Sequence, residues 1–334
     1  MKKTSQLLFY VFSFIAFVFV VCYFSVIRTD IKLIGEVNIF WLCLSLIAQF
    51  ATYLFSAMIY YRLLRAFQPS TRISIGRLYQ ASIVALFANQ LIPFVGISGN
   101  IFFYDFLKRE KISVQNIFTV VFVELLAFYV AIELIILAAL AVCLSLYKIS
   151  WLFIIILTGG FFVYIFFAFG ITVIAKKETV NTLCMRLVRI KLFRKHADKL
   201  RKFVDENNNH LQNSLPAFIQ HKRDVAPVIV LQACIFLADI FTVYALFHGL
   251  GVSIDFAMVF IAFILTKIIS LLPVSPGALI VYESSLTFFL TKLGAPLGTA
   301  VIVTLLFRIL SFWLPMPVGF LLTGKLTHQR HIAG

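Results

Sequence analysis

Charged residues are scarce in this chain. Asp, Glu, Lys and Arg make up 13% of its 334 residues, whereas they make up about 25% of an average soluble domain. Hydrophobic residues account for 62% of the sequence, which leaves too little polar surface to face water. Apolar runs of roughly 20 residues recur, and a helix needs that length to cross a hydrocarbon core. The composition therefore predicts an integral membrane protein.

Sustained alternation of apolar and polar residues, which marks the strands of a membrane β-barrel, is also missing. Because the bilayer core offers no water to satisfy backbone hydrogen bonds, helices remain as the spanning elements. The sequence thus predicts an all-α polytopic membrane protein with about eight transmembrane helices plus short broken or re-entrant helices.

Motifs for catalysis, metal binding and nucleotide binding are absent from the sequence. It has no Cys-x-x-Cys pair, no histidine pair that combines metal-ligand spacing with a nearby carboxylate, no Walker loop and no Gly-x-Ser-x-Gly elbow. We therefore expect a non-enzymatic protein with no cofactor, no metal site and no disulfide framework. The cysteines are Cys22, Cys43, Cys143, Cys184 and Cys234.

Acidic residues are outnumbered, and the net charge is +15. The basic residues concentrate in loops, so we attribute them to the positive-inside rule and expect no nucleic-acid partner. The loop after the second apolar run carries Arg62, Arg65, Arg72 and Arg77 without an acid, whereas charges in the preceding loop cancel. This asymmetry predicts a cytoplasmic N-terminus. An even number of crossings and the basic C-terminal residues predict a cytoplasmic C-terminus, and we expect a multi-pass protein of the bacterial cytoplasmic (inner) membrane.

The apolar runs divide one integral membrane domain, 1–334, into spans and loops. The run at 6–27 is too long for a signal peptide core and is interpreted as a retained first span. Long uninterrupted spans are predicted at 6–27, 39–61, 115–145, 151–174, 225–249, 255–272 and 298–323. The domain is interpreted as a first half 1–175, a basic cytoplasmic segment 176–224, a second half 225–324 and a cytoplasmic tail 325–334.

The basic segment 176–224 contains 12 Lys or Arg and 5 Asp or Glu. Apolar residues recur in it every three or four positions, which indicates an amphipathic helix. Such a helix lies in the membrane interface or packs on the protein as an ordinary cytoplasmic helix. The sequence leaves both alternatives open.

Two apolar stretches are interrupted by proline and glycine at corresponding places in the two halves. The first break lies within 89–100, and the second lies within 273–283. Short, interrupted segments at matching positions indicate the substrate site of transporters built from two repeats. The sequence does not decide whether the surrounding segments 78–108 and 273–296 cross the bilayer or dip into it and return.

Six charged residues lie within apolar runs, where insertion costs roughly 2.5–3.5 kcal/mol each. Glu124 and Glu133 are nine positions apart and point to opposite faces of one helix. The other four suggest two ion pairs between helices, because buried ions are normally paired. These pairs are Asp239 with Lys267 and Glu283 with Arg308. The functional alternative is a polar cavity that receives a headgroup or an ion.

The C-terminal half carries a motif of moderate specificity. Its residues 273–277 read Pro-Val-Ser-Pro-Gly, and they are followed by Glu283, Arg308 and the sequence Phe-Trp-Leu-Pro at 312–315. In order and spacing this run resembles the flippase-like membrane domain of the lysylphosphatidylglycerol synthase family and of its stand-alone relatives. The resemblance implies an all-helical domain with two pseudo-repeats and without the synthase domain.

The N-terminal half matches the same family less closely. Asn89, Pro93, Gly99 and the Val-Glu pair ending at Glu124 fit its pattern. Asn100 replaces a glycine, and Leu125 replaces an arginine. A further arginine is absent, and Phe102, Phe103 and Tyr104 stand in its region; in the second half Ala278 replaces a glycine.

From these features we predict a flippase-like protein that translocates an anionic or lipid-linked headgroup, with membrane lipids as its partners. The predicted lipid pathway consists of Pro93, Gly99, Glu124, Pro273, Pro276, Gly277, Glu283 and Arg308. A secondary transporter of a small solute is one alternative. A non-transport scaffold, with lipid or glycan biosynthesis enzymes as partners, is another.

Overall fold

The computed structural model describes residues 37–70, 73–91, 97–145, 150–174, 214–271 and 281–328. Every regular element within these ranges is a helix, which confirms the all-α prediction. The α-helices are α1 (Ile39–Phe67), α2 (Ile75–Leu91), α3 (Ile97–Arg109), α4 (Val114–Ser145), α5 (Trp151–Ile174), α6 (Ser214–Gln220), α7 (Lys222–Gly249), α8 (Phe256–Ile269), α9 (Val281–Lys292), α10 (Leu297–Arg308) and α11 (Pro315–His328). A five-residue π-helix, Ile309–Trp313, connects α10 to α11.

Five helical stretches in the described ranges are long and apolar enough to cross a membrane. They are Ile39–Phe67, Val114–Ser145, Trp151–Val173, Lys222–Gly249 and Leu297–Thr323. The chain is therefore a polytopic membrane protein. Helix α5 has an exposed apolar surface of the kind that faces lipid, because Phe162, Phe166 and Phe169 on this helix are all more than 60% exposed.

One predicted span is shorter in the structure, and another contains a local irregularity. The run at 255–272 forms α8, which has 14 residues and at 1.5 Å per residue is shorter than a hydrocarbon core of about 30 Å. The predicted span 298–323 is confirmed as the apolar helical stretch Leu297–Thr323, which consists of α10, the π-helix and the start of α11. The first predicted span, 6–27, lies outside the described residues.

The predicted break within 78–108 is present as two separate helices. Helix α2 ends at Leu91 and α3 begins at Ile97, and residues 92–96 between them lie outside the described ranges. After the second predicted break, α9 begins at Val281. The amphipathic part of 176–224 lies outside the described residues as well, whereas α7 begins at Lys222.

The described residues group into two compact units. Unit 1 takes its residues from Met1–Thr52, Leu86–Ser98 and Leu237–Gly334, and unit 2 takes its residues from Tyr53–Ala85 and Gly99–Phe236. Helices α1, α2, α3 and α7 each contribute residues to both units. The division into the sequence halves 1–175 and 225–324 stays a prediction.

In unit 1, α8 packs against α9 and α9 packs against α10. Helix α8 begins at an N-cap, where the carboxylate of Asp255 accepts a hydrogen bond from the Ala257 backbone N–H. Helix α9 ends at Lys292, and Gly294 in the turn that follows has a φ of +109°, which favours glycine. The Ala295 N–H then donates to the Leu290 carbonyl. This tight turn brings α10 back along α9.

In unit 2, α4 packs along α5 and against the short helix α6. Phe122 and Leu126 of α4 form a buried cluster with Ile171 of α5 and Phe218 of α6. Helix α4 is continuous for 32 residues, so it carries Glu124 and Glu133 on one rigid element.

Candidate functional site

The ion pair between Arg308 and Glu283 is the most buried charge pair in the described part of the chain. Arg308 Nε donates to Glu283 Oε1 at 2.6 Å, and the two side chains are 8% and 17% exposed. Glu283 lies in the first turn of α9, where the helix dipole favours a carboxylate. Arg308 is the last residue of α10. The predicted pairing of these two residues is confirmed.

The Arg308 guanidinium also lies between two aromatic rings. Its Cζ is 4.6 Å from the centre of the Tyr282 ring and 4.8 Å from the centre of the Phe312 ring. Phe312 belongs to the π-helix that starts directly after Arg308. The wider turn of a π-helix, a feature that is frequent at functional sites, sets the position of this second ring.

A second ion pair joins α7 and α8 within unit 1. Lys267 Nζ lies 3.7 Å from Asp239 Oδ2, which confirms the other predicted pairing. Gln49 of α1 donates from Nε2 to Asp239 Oδ1 at 3.0 Å and to Thr242 Oγ1 at 3.1 Å. Asp239 is therefore held on one oxygen by a cation and on the other by an amide.

Tyr282 connects the two ion pairs. Its ring centre lies 5.7 Å from Lys267 Nζ and 4.6 Å from Arg308 Cζ. Cations at such distances from a ring are attracted to its face. We refer to Asp239, Lys267, Tyr282, Glu283 and Arg308 as the paired-charge cluster. It contains two cations and two anions, so its formal charge balances inside an apolar helical framework.

Two oxygen atoms of the paired-charge cluster remain unsatisfied. Tyr282 Oη and Glu283 Oε2 are buried and form no hydrogen bond within the described part of the chain. A buried polar atom without a partner costs roughly 1–3 kcal/mol. A hydroxyl or amine donor that reached either atom would therefore be stabilised by a hydrogen bond.

Glu124 belongs to unit 2 and has a neutral partner. Gln232 of α7 donates from Nε2 to Glu124 Oε1 at 2.9 Å. Nearby in the same unit, the Tyr60 hydroxyl donates to Asn100 at 3.4 Å, and the Tyr60 ring stacks on Phe103 at 3.6 Å between ring centres. The residues that depart from the family pattern thus build an amide and aromatic environment in this unit.

Glu133 differs from Glu124 in its surroundings. Both of its carboxylate oxygens are buried, and neither accepts a hydrogen bond from a described residue. The ring of Tyr129, one turn earlier on α4, meets Tyr164 of α5 at 6.1 Å. Glu133 therefore lies beside the contact of α4 with α5.

The structure brings together only part of the predicted lipid pathway. Glu283 and Arg308 are in direct contact in unit 1, whereas Glu124 and the buried Gly99 belong to unit 2. Pro93, Pro273, Pro276 and Gly277 lie outside the described residues. Within the described ranges, no group of three or more His, Cys, Asp or Glu side chains is placed to hold a metal ion.

Sequence reasoning missed the neutral polar members of the two sites. Gln49, Thr242 and Tyr282 contribute to unit 1, and Gln232 contributes to unit 2. The two glutamines carried a usable signal, because each stands inside an apolar run where an amide needs a partner. Threonine and tyrosine occur too often in membrane helices to give such a signal.

The sequence is similar to one protein family and to two archaeal membrane proteins. The family described as "Lysylphosphatidylglycerol synthase TM region" matches residues 7–319. A UPF0104 membrane protein of Pyrococcus horikoshii is 21% identical over 321 residues, which cover 93% of this chain and 94% of the relative. A UPF0104 membrane protein of Methanothermobacter thermautotrophicus is 23% identical over 129 residues, which cover 39% of this chain and 38% of the relative.

Proposed function

This chain belongs to the lysylphosphatidylglycerol synthase TM region family, and we propose that it translocates the headgroup of an anionic or lipid-linked lipid across the bacterial cytoplasmic membrane. The observation that carries this proposal is the paired-charge cluster with its two unsatisfied oxygens. Inserting ionisable residues into a membrane helix costs free energy, and such residues commonly line the pathway of a substrate or an ion.

Charge balance explains how such a site would accept a headgroup. A phosphate needs cationic donors, and Arg308 and Lys267 supply them from α10 and α8. Hydroxyl or amine groups of the same headgroup need acceptors, and Glu283 Oε2 and Tyr282 Oη accept no hydrogen bond from any described residue. A headgroup that carries both kinds of group would exchange with the ion pairs and leave no charge uncompensated.

Movement of the headgroup would proceed by partner exchange at Arg308. A phosphate oxygen would replace Glu283 Oε1 on the guanidinium, and the fork geometry of arginine suits phosphate and carboxylate alike. The rings of Tyr282 and Phe312 would hold the guanidinium in place during the exchange. The acyl chains would stay in the bilayer, and no covalent bond would form or break.

The proposal is tested by lipid translocation in liposomes. Purified protein is reconstituted with a fluorescent phosphatidylglycerol, and a membrane-impermeant quencher reports the label that reaches the outer leaflet. Wild type is compared with Glu283→Gln and Arg308→Ala, and with Lys292→Gln as the control. Lys292 is an exposed cation of the same helix as Glu283, and its contact is with the Phe288 ring.

Wild type and Lys292→Gln are expected to expose label faster than empty liposomes, whereas Glu283→Gln and Arg308→Ala are not. Equal rates for wild type and empty liposomes, across anionic and neutral headgroups, would reject the flippase proposal. The solute transporter and the scaffold for lipid or glycan biosynthesis enzymes would then be the readings to pursue.

A further inference from the structure

Two adjoining cavities lie in unit 2, away from the paired-charge cluster in sequence. Their volumes are about 370 Å³ and about 500 Å³, and they share Met58 and Arg62 as lining residues. Both open between the C-terminal end of α1 and the N-terminal end of α7. These ends belong to two of the membrane-spanning helices. We refer to the two cavities together as the α1/α7 groove.

The outer part of the α1/α7 groove is cationic. Arg62 and Arg65 line it from α1, and Arg223 lines it from α7. Asp224 is the one carboxylate among the described lining residues, and its Oδ2 lies 3.5 Å from His221 Nδ1. Among the described residues, none of the three guanidinium groups forms an ion pair with a carboxylate. Arg65 instead stacks on the Tyr61 ring, with Cζ 4.6 Å from its centre.

The inner part of the α1/α7 groove is apolar. Met58 lies one turn before Arg62 on α1, and it therefore points to the same face of that helix. On α7, Pro227, Val230 and Leu231 follow Arg223 toward the middle of the span. Val230 is 60% exposed. The lining thus changes from cationic at the helix ends to apolar toward the interior of both spans.

This gradient has the polarity of a single lipid molecule in the leaflet. We propose that the α1/α7 groove binds an anionic glycerophospholipid, with its phosphate between Arg62 and Arg223 and an acyl chain along Met58, Val230 and Leu231. Arginine donates paired hydrogen bonds to phosphate, and anionic headgroups are attracted to basic residues at the ends of spans. A soluble phosphate compound would leave the apolar wall uncovered.

Binding in the α1/α7 groove does not require translocation, because it involves unit 2 residues that take no part in the paired-charge cluster. It is therefore measured on the purified full chain in detergent. The probe is fluorescent phosphatidylglycerol, and phosphatidylcholine with the same acyl chains serves as the neutral competitor. The test variant is Arg62→Gln with Arg223→Gln. The matched control is Lys108→Gln with Lys292→Gln, which removes the same charge from two other exposed helix ends.

Relative to wild type, the test variant is expected to bind phosphatidylglycerol at least about tenfold more weakly, while the affinity of the control stays within about twofold. Lysine at both positions keeps the charge, and we expect it to restore part of the binding. If the test variant fails to fold, the single variants Arg62→Gln and Arg223→Gln replace it, each with an expected loss of roughly threefold. The proposal would be overturned if the folded double variant, or both single variants in its place, bound phosphatidylglycerol as tightly as wild type.

The competitors separate a lipid site from a phosphate site. Unlabelled phosphatidylglycerol is expected to displace the probe, whereas phosphatidylcholine and glycerol 3-phosphate are not. Displacement by glycerol 3-phosphate as effective as that by the lipid would overturn the lipid assignment. Equal displacement by phosphatidylcholine would overturn the role of the arginines.

Discussion

Arg308 and Glu283 are 25 positions apart and meet at 2.6 Å across the α9–α10 contact, with both side chains largely buried. A pair of this kind stabilises a fold little against an apolar replacement, since removing two charges from water offsets most of their attraction. Breaking the pair is different, because one buried charge is left without compensation. Stability and transport therefore respond differently to changes at these two residues.

The first prediction separates the two effects. Arg308→Met alone leaves the Glu283 carboxylate buried beside Tyr282 and is expected to lower the free energy of unfolding by about 3–5 kcal/mol. Adding Glu283→Leu removes the stranded charge and is expected to recover most of that loss. The measurement is thermal unfolding in detergent, followed by lipid translocation. Recovery of translocation together with stability would assign the pair a purely structural role.

The second prediction concerns the Tyr282 hydroxyl. Tyr282→Phe keeps the ring against Arg308 and Lys267 but removes the buried, unsatisfied Oη. Loss of such a group is expected to leave stability unchanged or to raise it by up to about 1 kcal/mol. Translocation is expected to fall if the hydroxyl contacts the headgroup. Phe312→Leu serves as the comparison, because it removes a ring beside Arg308 and leaves Tyr282 Oη in place. Full translocation by Tyr282→Phe would show that the hydroxyl plays no part in translocation.

The third prediction concerns the amide partner of Glu124. Gln232→Leu removes the donor 2.9 Å from Glu124 Oε1, and stability is expected to fall by about 1–3 kcal/mol because a buried acceptor loses its partner. Leu237→Ile, at an exposed position of the same helix, provides the control and is expected to change stability little. Both variants are measured by chemical unfolding in detergent. Equal behaviour of the two would show that the hydrogen bond contributes nothing.

The fourth prediction tests the turn that places α10 beside α9. Gly294 has a φ of +109°, a backbone conformation that residues with a side chain rarely adopt. Gly294→Ala is therefore expected to lower the free energy of unfolding by about 1–3 kcal/mol. Gly159→Ala is the matched control, because an added Cβ there meets no atom within 4 Å. Alanine inside a helix is expected to be neutral or to stabilise by up to about 1 kcal/mol. Equal shifts of the unfolding midpoint in the two variants would contradict backbone strain at position 294 in the alanine variant.

Much of the helical architecture was predictable, because span length and apolar content are local properties of the sequence. Five predicted spans correspond to α1, α4, α5, α7 and the stretch Leu297–Thr323, with shifts of a few residues at their ends. The short α8 and the π-helix after Arg308 were not predictable. Both depend on how the chain turns and on what packs at those positions, and neither leaves a signature in hydropathy.

The charged members of unit 1 were predictable in pairs, since a buried charge in an apolar run requires an opposite charge nearby. Their geometry was not. Hydropathy gave no reason to expect that the Tyr282 ring would face both Lys267 and Arg308, or that Gln49, almost two hundred positions away in sequence, would donate to Asp239.

The sequence by itself determined that this protein is a multi-pass helical membrane protein, because scarce charge and long apolar runs have one stable solution in a bilayer. It also determined which charges must find partners. Only the tertiary structure decided that these partners converge on one aromatic ring in unit 1, and that Glu124 receives an amide in unit 2. The physical reason is that convergence depends on helix packing, which joins residues that lie far apart in the chain.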